Sequence, residues 1–225
     1  IIKEDGPRHI MDFASFRGPD LESDLRSRDF TVNALAVDVR TLAVYDPLGG
    51  VADVHGMIIR ACSPDAFRDD PVRILRAVRQ AASLGFTIEP ETRKLLKQDI
   101  QSLSRVSAER IRDELVKILE GPQPSASVRA LDRLGVVDLV LPELAAFKGF
   151  EQPAPHVLEL WEHTLHVISY LENILAALSP EYNPETAADL FNGLLVMRLG
   201  RFRQKFAEHL GAYPVPDRSL RASLF

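Results

Sequence analysis

FRDDPVRILRAVRQAASLGF, residues 67–86, is the stretch in which the chain changes from a strand-like to a helical period. Asp70-Pro71 reads as a helix start, with Asp as N-cap and Pro at the first helical position, where its missing N–H costs nothing. Behind it Ile74, Leu75, Val78, Ala81 and Ala82 form one apolar stripe, and Gly85 offers a left-handed stop. Downstream the reading stays helical. One helix is expected from Ser107 to about Glu120, burying Ile111, Leu115, Ile118 and Leu119 and ending at Gly121-Pro122, with Arg110 and Glu114 four apart on its surface. SVRALDRL (127–134) gives another that ends at Gly135, and HVLELWEHTLHVISYLENILAAL (156–178) gives a third before a loop near SPEYNPET (179–186).

Upstream the periods are short and strand-like. IIK, a turn at Asp5-Gly6-Pro7 and HIMDFASF (9–16) read as a hairpin. FTVNALAVDV (30–39), LAVYD (42–46) and MIIRAC (57–62) follow as short extended or mixed segments, broken at Gly49-Gly50. The class is therefore α+β, with an α/β part over residues 1–63 and a mostly helical remainder. A chain that opens directly on a strand is expected to complete a sheet begun by a preceding segment.

Composition excludes several classes. The chain has 225 residues, 46% of them hydrophobic, which is enough for a substantial core in one to three compact units. Its single cysteine, Cys62, forms no intramolecular disulfide, and a reducing cytoplasm is the default setting. No apolar run approaches membrane-spanning length and the first residues do not form a signal peptide, so neither membrane nor export is expected. A net charge of −5 argues against coating nucleic acid non-specifically. The balance varies along the chain: residues 1–63 carry 7 Lys/Arg against 10 Asp/Glu, residues 64–133 carry 13 against 11, and residues 134–225 carry 7 against 11. Any phosphate-facing surface is expected in the middle segment.

Two blocks carry chemistry. In DLRSRDFTVNALAVD (24–38), Arg28, Asp29 and Asn33 stand beside Phe30, Thr31 and Leu35 without a clean period. That mixture suits a cleft wall, where Arg forks onto phosphate oxygens and Asp or Asn meets a sugar hydroxyl. It equally suits a capped helix start in which Asp29 pairs with Arg28 on the surface. In the second block, residues 67–86, Arg73, Arg76 and Arg79 recur every three residues with Asp70 at the helix mouth. A carboxylate and a guanidinium on one rigid helix offer acceptor and donor edges like those of a nucleobase. The alternative is that Asp70 only caps the helix, worth about 1 kcal/mol, while the arginines are solvated.

These blocks, with DPLGGVADV (46–54) between them and SAERIRDELVKIL (107–119) after them, resemble the successive motifs of the class II tRNA nucleotidyltransferase family, which includes bacterial CCA-adding enzymes and poly(A) polymerases. The resemblance covers about residues 9–145. It implies that residues 1–63 are the end of a polymerase-type nucleotidyltransferase head, residues 64–124 a helical neck, residues 125–155 a helical body, and residues 156–225 a helical part with the possible start of an HD-type domain. It further implies template-independent addition of CMP and AMP to the 3′ end of tRNA from CTP and ATP, with Mg²⁺. Arg28, Asp29 and Asn33 would meet triphosphate and ribose, Asp70 and Arg73 the base edge, and Arg76 and Arg79 the same pocket. Glu109, Arg110 and Glu114 match the family's neck-bracing block. Ser27 stands where the family often has Arg, and Asp69 where it usually has Glu.

The family's glycine-rich strand-turn and metal-binding Asp-x-Asp pair do not occur upstream of residue 9, so this chain alone is expected to be inactive. Asp12 falls near a third acidic position of such heads, and fits equally a strand carboxylate paired with Arg17. His163 and His166 lie three apart in WEHTLHV, which looks like the opening of an HD-type phosphohydrolase domain. There His163 would be the first metal ligand, although no His-Asp doublet follows before Phe225, and lone helical histidines more often simply hydrogen-bond. The rival readings are a poly(A) polymerase or an enzyme adding only CC or only A, a non-catalytic tRNA-binding relative, and an HD-type hydrolase.

Overall fold

The computed structural model describes residues 13–182, 190–211 and 224. Asp12 and most of the hairpin expected over residues 1–16 lie outside that range, as does the end of the loop expected near residues 179–186. The fold is α+β, with short strands and a long helical series. Helix α1 (Leu21–Arg26) precedes a single 3-10 turn at Thr31–Asn33. Strands β1 (Ala36–Val37) and β2 (Val44–Tyr45) pair antiparallel, and α2 (Gly50–His55) leads to β3 (Ile58–Ile59). After α3 (Ala66–Asp69) and α4 (Arg73–Leu84), β4 (Thr87–Ile88) returns parallel to β3 with Ile58 opposite Thr87. The series continues through α5 (Pro90–Asp99), α6 (Ala108–Glu120), α7 (Pro124–Leu134), α8 (Val136–Val140), α9 (Pro142–Ala145), α10 (Leu160–Ala177), α11 (Leu190–Leu199) and α12 (Arg203–Leu210).

The crossover from β3 to β4 lays α4 over the centre of the molecule, where it packs on α6 and α7 while α7 packs on α10. The core is continuous along this path: Phe30, Ile59, Phe67, Ile74, Leu75 and Leu96 are fully buried, and the same cluster runs on through Ile118 and Leu131 to Trp161 and Leu165. Burial of each such side chain is worth about 1.5–3 kcal/mol. Trp161 adds a polar tie, its indole N–H donating to Asp132 at 3.0 Å. Among the described residues no helix is long and apolar enough to cross a membrane.

Several expectations change in detail. The segment 30–39 contains only a two-residue strand, because Thr31–Asn33 curl into the 3-10 turn, with the backbone N–H of Phe30 bound to the carboxylate of Asp29 instead of a ladder partner. Asp70 does not cap α4. Its backbone is extended (φ −144°, ψ 94°), its carbonyl accepts the Arg73 N–H at 3.1 Å, and its side chain turns instead to Arg110 on α6. Helix α4 accordingly starts at Arg73, while its end agrees with the reading, Gly85 standing at φ +68°. Glu114 is buried rather than on the surface, because α6 lies against α4 on that side. Helix α10 starts at Leu160, its first N–H held by the Phe150 carbonyl at 2.9 Å, and not at His156.

Gly50 is dictated by a close approach. A Cβ there would stand 2.2 Å from the Thr31 carbonyl oxygen, because α2 presses its first turn against the 3-10 turn. The Asp46 carboxylate caps that turn, accepting from the N–H groups of Gly50 and Val51 at 2.7 and 3.0 Å. Gly50→Ala is therefore expected to cost about 2–4 kcal/mol, the penalty of forced overpacking against backbone. Urea unfolding measures this, and a loss below about 1 kcal/mol, or the gain of up to about 1 kcal/mol ordinary for Gly-to-Ala at an unstrained site, would contradict the contact.

Candidate functional site

The two chemistry-bearing blocks meet in one cleft of about 1050 Å³, lined by Arg28, Asp29, Asn33, Asp70, Arg73 and Arg76 among others. Backbone pairing explains how the first block gets there. Thr31 N–H donates to the Arg60 carbonyl at 2.9 Å and Cys62 N–H to the Asp29 carbonyl at 3.2 Å, so residues 29–31 run beside the end of β3. A side-chain relay locks this placement: Thr31 Oγ1 donates to the buried Asp53 at 2.7 Å, and the partly exposed Arg60 bridges Asp53 and Glu89 at 3.0 and 3.2 Å.

Asp29 is the hub. It is 7% exposed and joins α4 across 47 positions of sequence, its Oδ2 accepting Arg76 Nε and Nη2 at 2.9 and 2.6 Å. Oδ1 accepts the Phe30 N–H at 2.8 Å and Asn33 Nδ2 at 3.0 Å. Burial alone would raise its pKa, but the donors from Asn33 and Arg76, the Arg76 charge and the Phe30 N–H together hold the carboxyl below the usual carboxylate range. The surface Asp29–Arg28 pair allowed by the sequence does not form. Arg28 turns instead to Asp24, which accepts its Nε and Nη2 at 3.2 and 3.0 Å, and Arg28 Nη1 reaches the Asn33 carbonyl at 3.3 Å. Asp24 is itself buried and held low, first by the Arg17 N–H and, against burial, also by Arg28.

The second block divides by helical phase. At about 100° per residue, Arg73, Arg76 and position 80 fall within one face, while Arg79 is rotated further around the helix. Arg73, 8% exposed, spends its guanidinium on backbone: Nη2 donates to the Ser27 carbonyl at 2.7 Å, and Nη1 to those of Arg28 and Ala66 at 3.3 Å each. Arg79 is outside the cleft lining, its Nε donating to Glu114 at 2.7 Å, and so ties α4 to α6. Asp70 lines the cleft, with Oδ2 on Arg110 at 2.9 Å and Oδ1 buried without a hydrogen-bond partner. Glu114 also receives Arg76 Nη1 at 3.6 Å.

Sequence reasoning missed Asp24, Gln80 and the burial of Glu114. A signal for Gln80 existed: positions 73, 76 and 80 follow the i, i+3, i+7 rule for one helix face, whereas the every-third pattern through Arg79 drifts off it. Cys62 has its thiol pushed up to about 12, by burial first and by the Asp29 charge second, which makes it no nucleophile near neutral pH.

The described residues do not fit a metal. Among the described residues no group of three His, Cys, Asp or Glu side chains could hold an ion, and the cleft carboxylates Asp24, Asp29, Asp70 and Glu114 are each engaged by a guanidinium. His163 makes an edge-on ring contact with His156, centroids 5.8 Å apart, and belongs to no such group.

The family description "Poly A polymerase head domain" matches residues 4–60, and "Probable RNA and SrmB- binding site of polymerase A" matches residues 85–148. The chain is 40% identical over 158 residues to an A-adding tRNA nucleotidyltransferase of Deinococcus radiodurans, covering 68% of this chain and 36% of that protein. It is 43% identical over 155 residues to a multifunctional CCA protein of Pasteurella multocida, covering 66% of this chain and 36% of that protein. A solved tRNA-processing enzyme with CTP is similar with a TM-score of 0.60 at 27% identity, over 87% of this chain and 52% of the other. The chain thus spans little more than a third of the length of the curated relatives it matches.

The depressed Asp29 pKa sets a pH dependence. A carboxyl whose folded value lies below its unfolded value of about 3.9 adds stability that is fully present above that pH and is lost as pH falls through the folded value. Asp29→Asn is expected to lower stability at pH 7 by about 2–4 kcal/mol, since it removes the charge that Arg76 Nε and Nη2 meet and leaves only the longer contact to Glu114. Urea midpoints of the two proteins should converge below about pH 4, and a gap that persists unchanged at pH 3 would contradict the assignment.

Proposed function

This chain belongs to the class II tRNA nucleotidyltransferase family, and from that premise we propose that its cleft binds the incoming nucleotide for CMP and AMP addition to the 3′ end of tRNA. The single observation that carries this reading is that Arg28, Asn33, Asp70 and Arg73, from blocks about 40 positions apart, line one cleft. In this reading residues 1–63 close a nucleotidyltransferase head, residues 64–124 form the neck, residues 125–155 the body, and residues 156–225 follow it, with α10 to α12 the described helices there. CTP, ATP and the tRNA 3′ end are the partners, and the setting is cytoplasmic.

Each group has a task that follows from its chemistry. Asp70 Oδ1 is an acceptor without a partner, matched to the exocyclic amino group that cytosine and adenine share. Arg73 Nε–H, which makes no hydrogen bond to a described residue, donates to the adjacent ring nitrogen. Uracil and guanine place a carbonyl oxygen opposite Asp70 and are repelled. Arg28, half exposed and steered by Asp24, faces the phosphates. Arg76 and Arg79 act one step back: Arg76 holds Asp29 and Arg79 holds Glu114. Enzymes of this family generally use a divalent metal, with Mg²⁺ the proposed ion. The described cleft supplies no ligand set for it, so the role assigned to these residues is to bind and orient.

A-only addition is the second reading, favoured by the A-adding relative at 40% identity. Primer extension by a complete version of the protein, on tRNA lacking its CCA end, separates the two, since of these two readings CCA addition alone consumes CTP. The cleft itself is tested by nucleotide binding: this chain should prefer CTP and ATP over UTP and GTP by about tenfold or more, and Asp70→Ala should bring all four within about threefold. Unchanged selectivity in Asp70→Ala would overturn the base-reading role.

A further inference from the structure

Gln80 projects from α4 at 9% exposure and lines the same cleft as Asn33. Its Oε1 accepts Asn33 Nδ2 at 2.9 Å, and its Nε2 lies 3.5 Å from Asp29 Oδ2. The other N–H of the Asn33 amide goes to Asp29 Oδ1 at 3.0 Å. A carboxamide nitrogen carries two N–H donors, so both are committed and the amide has one permitted orientation. Rotating it by half a turn would set Asn33 Oδ1 against two acceptor oxygens, one of them charged. What remains of Asn33 for a ligand is therefore an acceptor.

Asp29 is not available for that part. Its Oδ1 already takes two donors and its Oδ2 two from Arg76. We infer that Gln80 is a positioning residue that fixes the Asn33 carboxamide so that Asn33 Oδ1 accepts a hydrogen bond from a sugar hydroxyl of the bound nucleoside triphosphate. The inference rests on the nucleotide-binding reading above. A hydroxyl is the matching donor, because ionised phosphate oxygens only accept and are repelled by Oδ1, and the base edge is turned to Asp70 and Arg73. An aliphatic residue at 80 would fill the volume but free one Asn33 N–H, leaving the amide held by Asp29 Oδ1 alone and free to swing about that single contact, so that Oδ1 is no longer aimed at the sugar.

The test measures binding of CTP, 2′-deoxy-CTP and 3′-deoxy-CTP in EDTA by calorimetry, for the unmodified chain, Gln80→Leu, Gln80→Met, Asn33→Ala and Gln80→Leu combined with Asn33→Ala. The unmodified chain should bind CTP about 2- to 10-fold more tightly than one of the deoxy analogues, the range of a single neutral hydrogen bond. Gln80→Leu and Gln80→Met should bring that ratio towards one, and Gln80→Leu should have no further effect on it once Asn33 is Ala. The ratio compares ligands on the same protein, so a general loss of stability does not move it. An unchanged ratio in the Gln80 variants, or no discrimination by the unmodified chain, overturns the inference alone. Failure of the unmodified chain to bind CTP at all overturns the nucleotide-binding reading and this inference with it.

Discussion

One buried carboxylate, Asp29, joins two stretches of chain that are 47 positions apart, and the cleft exists in its present shape because of that join. Burying a charge is costly unless it is paired and its remaining lone pairs are filled. Asp29 meets both conditions, with the Arg76 guanidinium on one oxygen and the Phe30 N–H and Asn33 amide on the other. The requirement propagates outward. Asn33 must turn its nitrogen towards Asp29, Gln80 must accept the second N–H, and Arg76 must keep its guanidinium on the carboxylate.

A second set of contacts supports this one from behind. Arg73 holds the carbonyls of Ser27, Arg28 and Ala66, which stops the first block from peeling away from α4. Thr31, Asp53, Arg60 and Glu89 form a relay on the far side, and Gly50 lets α2 close onto the same turn. The positively charged groups of the cleft are thus mostly committed to carboxylates or carbonyls of the protein. Arg28 remains partly exposed, and Asp70 keeps one oxygen without a partner. Binding selectivity in such a site comes from a few groups held in place by many.

Much of this was legible in the sequence because it depends on local rules. The helical stripe through Ile74, Leu75 and Val78, the stops at Gly85 and Gly135, and the clustering of chemistry in residues 24–38 and 67–86 need only periodicity and residue type. Partner choice needs tertiary geometry and was less legible. Asp70 has the right position for an N-cap, yet Arg110, 40 positions later, lies close enough to take its carboxylate. Arg110 and Glu114 have ideal spacing for a surface pair, but the packing of α6 on α4 buries Glu114 and supplies Arg79. Asp29 and Arg28 are adjacent in sequence and still pair elsewhere, since neighbouring side chains on a turning backbone diverge.

The central claim is that Asp29 and Arg76 act as one unit across the cleft, and a double-mutant cycle tests it most directly. Urea unfolding at pH 7 would be measured for the unmodified chain, Asp29→Ala, Arg76→Met and the double variant. A coupling energy of about 2 kcal/mol or more is predicted, well above the 0.2–1 kcal/mol typical of exposed pairs. A coupling below about 0.5 kcal/mol would show that the two side chains contribute independently and would contradict the account.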